Sequence, residues 1–218
     1  MKHQNCFWIV SLMALNILIL GACQFQEPVD TTPPARDILF EDDFEDPNSG
    51  WNRVKAATGE SDYADGMYRI LVNDTHLDIW ARPGLTYTDA IIEVEAIKVG
   101  GDRNNRIGIV CRVVGPTNFY ALMISSDGFY GIAKVNGDRF NLIGTNSFQP
   151  SSAIVQGSAL NHLRADCIGD TLTLYVNEEK VAEAKDSEYT YGDVGLLAGT
   201  YEITGTDIRF DNFIVTKP

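Results

Sequence analysis

Basic charge is scarce in this chain: 17 Lys and Arg stand against 30 Asp and Glu, a net charge of −13. Such a surface repels nucleic-acid phosphates and anionic lipid headgroups, so neither is an expected partner. Histidine is scarcer still, at three residues, and beyond His3 only His76 and His162 are left, far from any metal-pair spacing. There is no Gly-x-Ser-x-Gly elbow and no phosphate-cradling glycine loop, which speaks against serine or cysteine nucleophilic catalysis. After the first segment, no stretch keeps apolar residues at helical spacing between capping residues, so no helix is expected there.

What is present starts with a leader. Lys2 is its single positive side chain, and Cys6 to Leu20 is apolar apart from Ser11 and Asn16. A short basic start and an apolar core ending in small residues make a secretory signal. The run is shorter than the roughly 20 apolar residues a membrane-spanning helix needs. Leu20-Gly21-Ala22-Cys23 resembles the lipobox of bacterial lipoproteins. That resemblance implies cleavage before Cys23 and acylation of its thiol, with acyl chains worth about 0.8 kcal/mol per buried methylene. An ordinary cleaved signal with an incidental cysteine is the alternative. Residues 1–22 thus read as a lipoprotein signal peptide, and 23–37 as the lipidated cysteine with a proline-bearing tether (QFQEPVDTTPPAR). Residues 38–218 form the domain, exported and facing outside the cytoplasm, touching the membrane through lipid only. Removing the leader leaves 16 basic against 30 acidic residues, a net −14, suited to a soluble monomer.

Of four cysteines, Cys6 leaves with the leader and Cys23 takes lipid, so Cys111 and Cys167 are left over. In an oxidising compartment an even remainder suggests one disulfide, and two buried thiols are the alternative.

From Ile38 onward, short runs rich in Val, Ile, Tyr and Phe alternate with Asp-Gly, Asn-Gly, Gly-Pro and Gly-Asp turn pairs. The expected strands are 67–72, 77–81, 90–99, 107–114, 119–125, 130–135, 162–167, 171–176, 194–198 and 208–215. So many strands at such intervals argue an all-β antiparallel sandwich or barrel. By period-two reading, Leu77, Ile79 and Ala81 face one way, and Asp78, Trp80 and Arg82 the other. Ile107, Ile109, Cys111 and Val113 share an apolar face with Arg112 opposite. Tyr68 is in phase with Ile70 and Val72 and reads as core; Trp51 reads as a plug of the sandwich end.

Phe40-Glu-Asp-Asp-Phe-Glu-Asp-Pro-Asn-Ser-Gly-Trp51 opens the domain and Ile208-Arg-Phe-Asp-Asn-Phe-Ile-Val215 closes it. Between them come Asp65-Gly-Met-Tyr-Arg-Ile70, Ile107-Gly-Ile-Val-Cys-Arg112 and Leu172-Thr-Leu-Tyr-Val-Asn177. In this order the segments resemble the jelly-roll domains of the concanavalin A-like lectin/glucanase superfamily, in particular the laminin-G-like and 3-keto-disaccharide hydrolase-like group. The resemblance covers residues 38–218 and implies two stacked antiparallel sheets, with any glycan on the concave one. It also implies a structural Ca²⁺ where the first and last strands meet, with Asp43, Gly66 (through its carbonyl) and Asp211 as its positions. Hard oxygen ligands suit that ion; solvated turn acids are the alternative.

Two chemistries follow. A sugar site needs an aromatic plate flanked by planar polar groups. Trp80 is the expected plate, with Asp78 beside it and Arg112, Tyr120 and Tyr130 on the same sheet. Glycoside hydrolysis needs paired carboxylates. Glu93 and Glu95 share a strand face about 7 Å apart and resemble the Glu-x-Asp-x-x-Glu strand of the superfamily's glucanases. Here the third acid is Lys98, so no catalytic residue is assigned. The expectation is a lipid-anchored carbohydrate binder. A glycosidase or 3-keto-disaccharide hydrolase using Asp78, Glu93 or Glu95 is the alternative, and a protein-contacting envelope scaffold a third.

Overall fold

Alternating β-branched and aromatic residues between glycine-bearing turns favour pleated strands, because each strand then offers one face to a core. The computed structural model describes residues 36–218, so the leader, Cys23 and its acylation lie outside the described residues. The strands are β1 (Ile38–Asp42), β2 (Val54–Ala56), β3 (Gly59–Ala64), β4 (Met67–Val72), β5 (Asp78–Ala81) and β6 (Ala90–Gly100). They continue as β7 (Asn105–Gly115), β8 (Asn118–Ile124), β9 (Phe129–Asn136), β10 (Arg139–Leu142) and β11 (Gln149–Pro150). The chain closes with β12 (Leu160–Ile168), β13 (Thr171–Val176), β14 (Glu179–Lys185), β15 (Asp193–Thr200) and β16 (Thr206–Thr216). All ten expected strands are present, within a residue or two at their ends.

Every pairing is antiparallel. One sheet runs β14-β13-β12-β6-β16-β4-β3-β2, with β1 beside the end of β16; the other runs β10-β9-β8-β7-β15-β5, with β11 on β9. We call them the nine-stranded and seven-stranded sheets. They stack over a core of Tyr68, Ile70, Ile92, Ile109, Leu122, Leu163, Leu174, Leu196 and Phe210, all without exposure. Cys111 of β7 and Cys167 of β12 are disulfide-bonded, so the staple joins one sheet to the other. Trp51 is buried as expected: its Nε1–H donates to Asp42 Oδ2 at 2.9 Å, and its ring meets Phe213 edge-on at 4.9 Å.

One phase assignment is corrected. Arg112 has φ of 51°, and the β7–β15 register gains one residue on β7 between the Val110–Gly195 and Val113–Asp193 pairs. A bulge of this kind inserts one residue and reverses the alternation beyond it. Val113 therefore packs with Val110 on the outer face rather than with Cys111 in the core.

Candidate functional site

Directly paired residues share a face, so the ladder of the seven-stranded sheet maps its outer surface. Across it, Trp80 pairs Leu197, Leu197 pairs Gly108, Gly108 pairs Met123 and Met123 pairs Gly131. The next row carries Val110, Ala121, Ala133 and Leu142. Glycine and alanine make a shallow floor, and larger rings lie over it. Val110, Phe119, Ala121, Met123, Ala133 and Leu197 form a second hydrophobic cluster here, bordered by Trp80, Phe140, Leu142 and Phe148. The Trp80 and Phe119 rings stand 5.6 Å apart. A methyl group on Gly131 would lie 3.0 Å from the side chains of Leu142 and Phe148, so glycine is what lets them cover the strand.

One row further along, Asp78 of β5 and Arg106 of β7 flank Gly199 of β15. Their ion pair, Arg106 Nε to Asp78 Oδ1 at 2.6 Å, crosses directly over that glycine. A Cβ at 199 would stand 1.8 Å from Asp78 Oδ1 and 2.9 Å from Arg106 Nε. Arg106 also donates to the Thr200 carbonyl at 2.9 Å and lies over the Tyr201 and Phe140 rings at 4.4 and 5.5 Å. The guanidinium is thus fixed on every side. Burial pushes the Asp78 carboxyl above its ordinary range, with Arg106 pulling against it. Burial raises the Tyr201 phenol too, again opposed by Arg106.

Beside this pair opens a cleft of about 350 Å³, within the range of small-molecule sites. Phe129, Phe148 and Tyr201 wall it; Asn104, Ser125 and Asp127 supply polar groups. Asn105 is committed to the scaffold, donating to Ser126 Oγ and accepting from the Ser126 N–H. Ser125 Oγ donates to Asp127 Oδ1 and so orients that carboxylate. The Asn104 amide makes no side-chain hydrogen bond among the described residues. The arrangement can stack an apolar ring face and hydrogen-bond groups around its edge.

The expected site residues divide. Asp78 and Trp80 lie on this outer face. Tyr120 does not, because it pairs Cys111 and so points into the sandwich. It is wholly buried; its hydroxyl donates to Asp186 at 2.6 Å, and burial pushes its pKa up to about 12. Tyr130 pairs Ile124 and packs against the same inner core. Arg112, at the bulge, is 2% exposed and holds the Thr88 and Tyr189 carbonyls and Asp89. These three are structural and do not converge with Trp80. Tyr201, Arg106, Asp127, Phe129 and Phe148 had no part in the expected site. Only Arg106 carried a signal, since it continues the outer-face phase of Gly108 and Val110 by one step upstream.

The acidic expectations fare differently. Glu93 lies on the outer face of the nine-stranded sheet, between Arg36 at 2.6 Å and His162 Nε2 at 3.3 Å. The His162 hydrogen bond holds its pKa down to about 2, against burial. A carboxylate so held is a poor general acid. At the junction of β1 and β16, Asp42 is occupied by Phe44 N–H, Ser49 Oγ and Trp51 Nε1. Asp43 Oδ1 accepts Glu45 N–H, Asp211 Oδ1 accepts Asn212 N–H, and Gly66 abuts the Glu45 carboxylate. Among the described residues no three His, Cys, Asp or Glu side chains are grouped to hold a metal ion.

No family model matches the sequence, and no curated protein is significantly similar to it. Solved structures do resemble it. The β-glucanase of Bacillus licheniformis aligns with a TM-score of 0.59 at 13% identity, over 82% of this chain and 98% of that one. The carbohydrate-binding module CBM66 from Bacillus subtilis aligns at 0.54 and 18% identity, over 77% and 96%. A laminarinase from Flavobacterium sp. UMI-01 aligns at 0.55 and 12%, over 83% and 100%. The fold is a concanavalin A-like jelly roll. At these identities the likeness concerns architecture, and the chemistry of this jelly roll rests on its own side chains.

Proposed function

We propose that this chain is a carbohydrate-binding, lectin-like jelly roll that works outside the cytoplasm on a lipid anchor and does not cleave its ligand. The observation that carries this reading is the cleft walled by Phe129, Phe148 and Tyr201 beside the locked Asp78–Arg106 pair. Aromatic faces stack on the C–H face of a pyranose, while Asn104 and Asp127 are placed for its hydroxyls. Because Arg106 and Tyr201 are already fixed, binding orders few side chains and keeps more of the gross interaction energy. The binding module and glucanases of the same fold agree with a saccharide partner. The test is affinity electrophoresis through laminarin, barley β-glucan, xylan and β-galactan gels. Tyr201→Ala should weaken retention about tenfold with the melting temperature little changed. A wild type that none of the gels retards counts against the reading.

Export is supported by the Cys111–Cys167 disulfide, a bond that persists in oxidising compartments. The anchor rests on the lipobox-like Leu20 to Cys23. Cys23→Ala should move the protein from the membrane to the soluble fraction, and unchanged membrane association would refute it. A second reading, hydrolysis, draws on the upward shift of the Asp78 carboxyl on the same face as Asp127. Reducing sugar released from a gel polysaccharide by wild type and lost in Asp78→Asn would favour it.

A further inference from the structure

The outer face of the seven-stranded sheet has a second polar hollow, at the end away from Tyr201. It measures about 310 Å³ and is lined by Asn52, Arg82, Thr86, Val113 and Asp193. Asp193 is 4% exposed. Its Oδ1 accepts the N–H of Leu85 at 2.8 Å and of Val194 at 2.9 Å. Its Oδ2 has no hydrogen-bond partner among the described residues; Arg82 Nη1, at 3.7 Å, is too far to donate. A buried acceptor left without a donor bears its full desolvation penalty, a larger one for a charged group, so folds seldom keep one without cause. Arg82 is the complementary half. Its guanidinium makes no hydrogen bond among the described residues and lies 5.5 Å from the Trp80 ring, which places the hollow against the aromatic floor.

We propose that this hollow is a second saccharide subsite, in which one hydroxyl of a sugar donates to Asp193 Oδ2 and a neighbouring one accepts from Arg82. The inference rests on the carbohydrate-binding reading and extends it from one sugar to a chain. Asn105 at the first cleft and Val113 at the hollow are both on β7, eight residues or roughly 25 Å apart. A ligand filling both is an extended polysaccharide lying along the sheet over Trp80 and Phe119. One carboxylate and one guanidinium cancel, so the hollow suits a neutral sugar: a cation meets Arg82 and an anion meets Asp193.

The test is calorimetric titration with oligosaccharides of increasing length, cut from whichever of the four polysaccharides the wild type retains. Wild-type affinity should rise with length until both sites are spanned. Arg82→Met and Asp193→Asn should lose that gain, about tenfold on long chains, and match wild type on the shortest. Tyr201→Ala should weaken every length. If both hollow variants bind long chains within about twofold of wild type while Tyr201→Ala does not, the subsite is overturned and the primary site stands. If no oligosaccharide binds wild type, both readings fall. Amide shifts of Leu85 and Val194 on adding free glycine but no sugar would assign the hollow to a zwitterion instead and overturn the proposal. Should Asp193→Asn fail to fold, Arg82→Met decides alone, since that guanidinium makes no hydrogen bond among the described residues and the methionine keeps an apolar side chain beside the Trp80 ring.

Discussion

The outer faces of the two sheets obey the same alternation and were built to opposite ends. On the nine-stranded sheet, outward positions carry ion pairs: Arg69 grips Asp207 at 2.7 Å, Arg164 grips Asp166 at 2.7 Å, and Glu93 sits between Arg36 and His162. These charges have their partners beside them, and among the described residues Arg209 Nε is the buried polar atom of this face left without one. On the seven-stranded sheet, the same positions hold Gly108, Gly131, Gly199, Ala121 and Ala133 under Trp80, Phe119, Phe140 and Phe148. A sheet gains no packing from glycine, so a run of them on one face marks close approach from above. Polar groups with free valence, Asn104, Arg82 and Asp193 Oδ2, sit at the two ends of that face. The contrast teaches that one alternation can build a face of paired charges on one sheet and a floor of small residues under aromatic rings on the other.

The comparison can be broken at three strengths. The largest effect comes from separating the sheets. Replacing Cys111 and Cys167 by Ala removes a cross-link 56 residues apart in sequence, worth about 4 kcal/mol in the chain-entropy model. Urea unfolding should show that loss, and an unchanged midpoint would mean that core packing alone joins the layers. Next, Gly199→Val drives a side chain into the Asp78–Arg106 pair and strands two poorly solvated charges. We expect about 3 kcal/mol of destabilisation and loss of glycan retention together. A variant that melts with wild type and still binds would show that the crossing is incidental.

The smallest effect lies on the charged face. Glu93 has its folded pKa lowered, so its contribution is present above its ordinary 4.5 and is lost as pH falls towards about 2. His162 has its folded pKa raised, chiefly by Glu93; its contribution is complete below its ordinary 6.5 and is lost as pH rises through the folded value. Together they are worth on the order of 1 kcal/mol after allowing for solvent around Arg36. Glu93→Gln should flatten both limbs of the stability–pH curve and leave glycan retention at neutral pH untouched. A loss of binding in that variant would transfer the site to the other sheet.

Much of the architecture was readable along the chain, because ten strands announce themselves by β-branched runs between glycine turns. The strands that escaped notice have edge or acidic character: Glu179–Lys185 (EKVAEAK) reads like helix, and Gly59–Ala64 (GESDYA) like a turn. The disulfide followed from counting cysteines and from the inward phase of Cys111 and Cys167. The outward faces of Trp80 and Asp78 were legible because one strand suffices to tell them. Tyr120, Tyr130 and Arg112 were misplaced because their faces depend on pairing register and on a bulge, neither of which is written in local alternation. Tyr201, Asp127 and Phe148 belong to connections whose meeting place is decided by distant strands, so no local pattern could have joined them.

The pairing of β1 with the far end of β16 sets the direction in which the molecule looks. Ile38 lies beside Thr216, which lies beside Ile91 at the start of β6, while the cleft walled by Phe129, Phe148 and Tyr201 opens past Gly100 at that strand's finish. Entry point and mouth are therefore at opposite poles, roughly 35 Å apart along an eleven-residue strand. A large partner can thus reach the aromatic mouth without passing the end at which Ile38 joins the sheet.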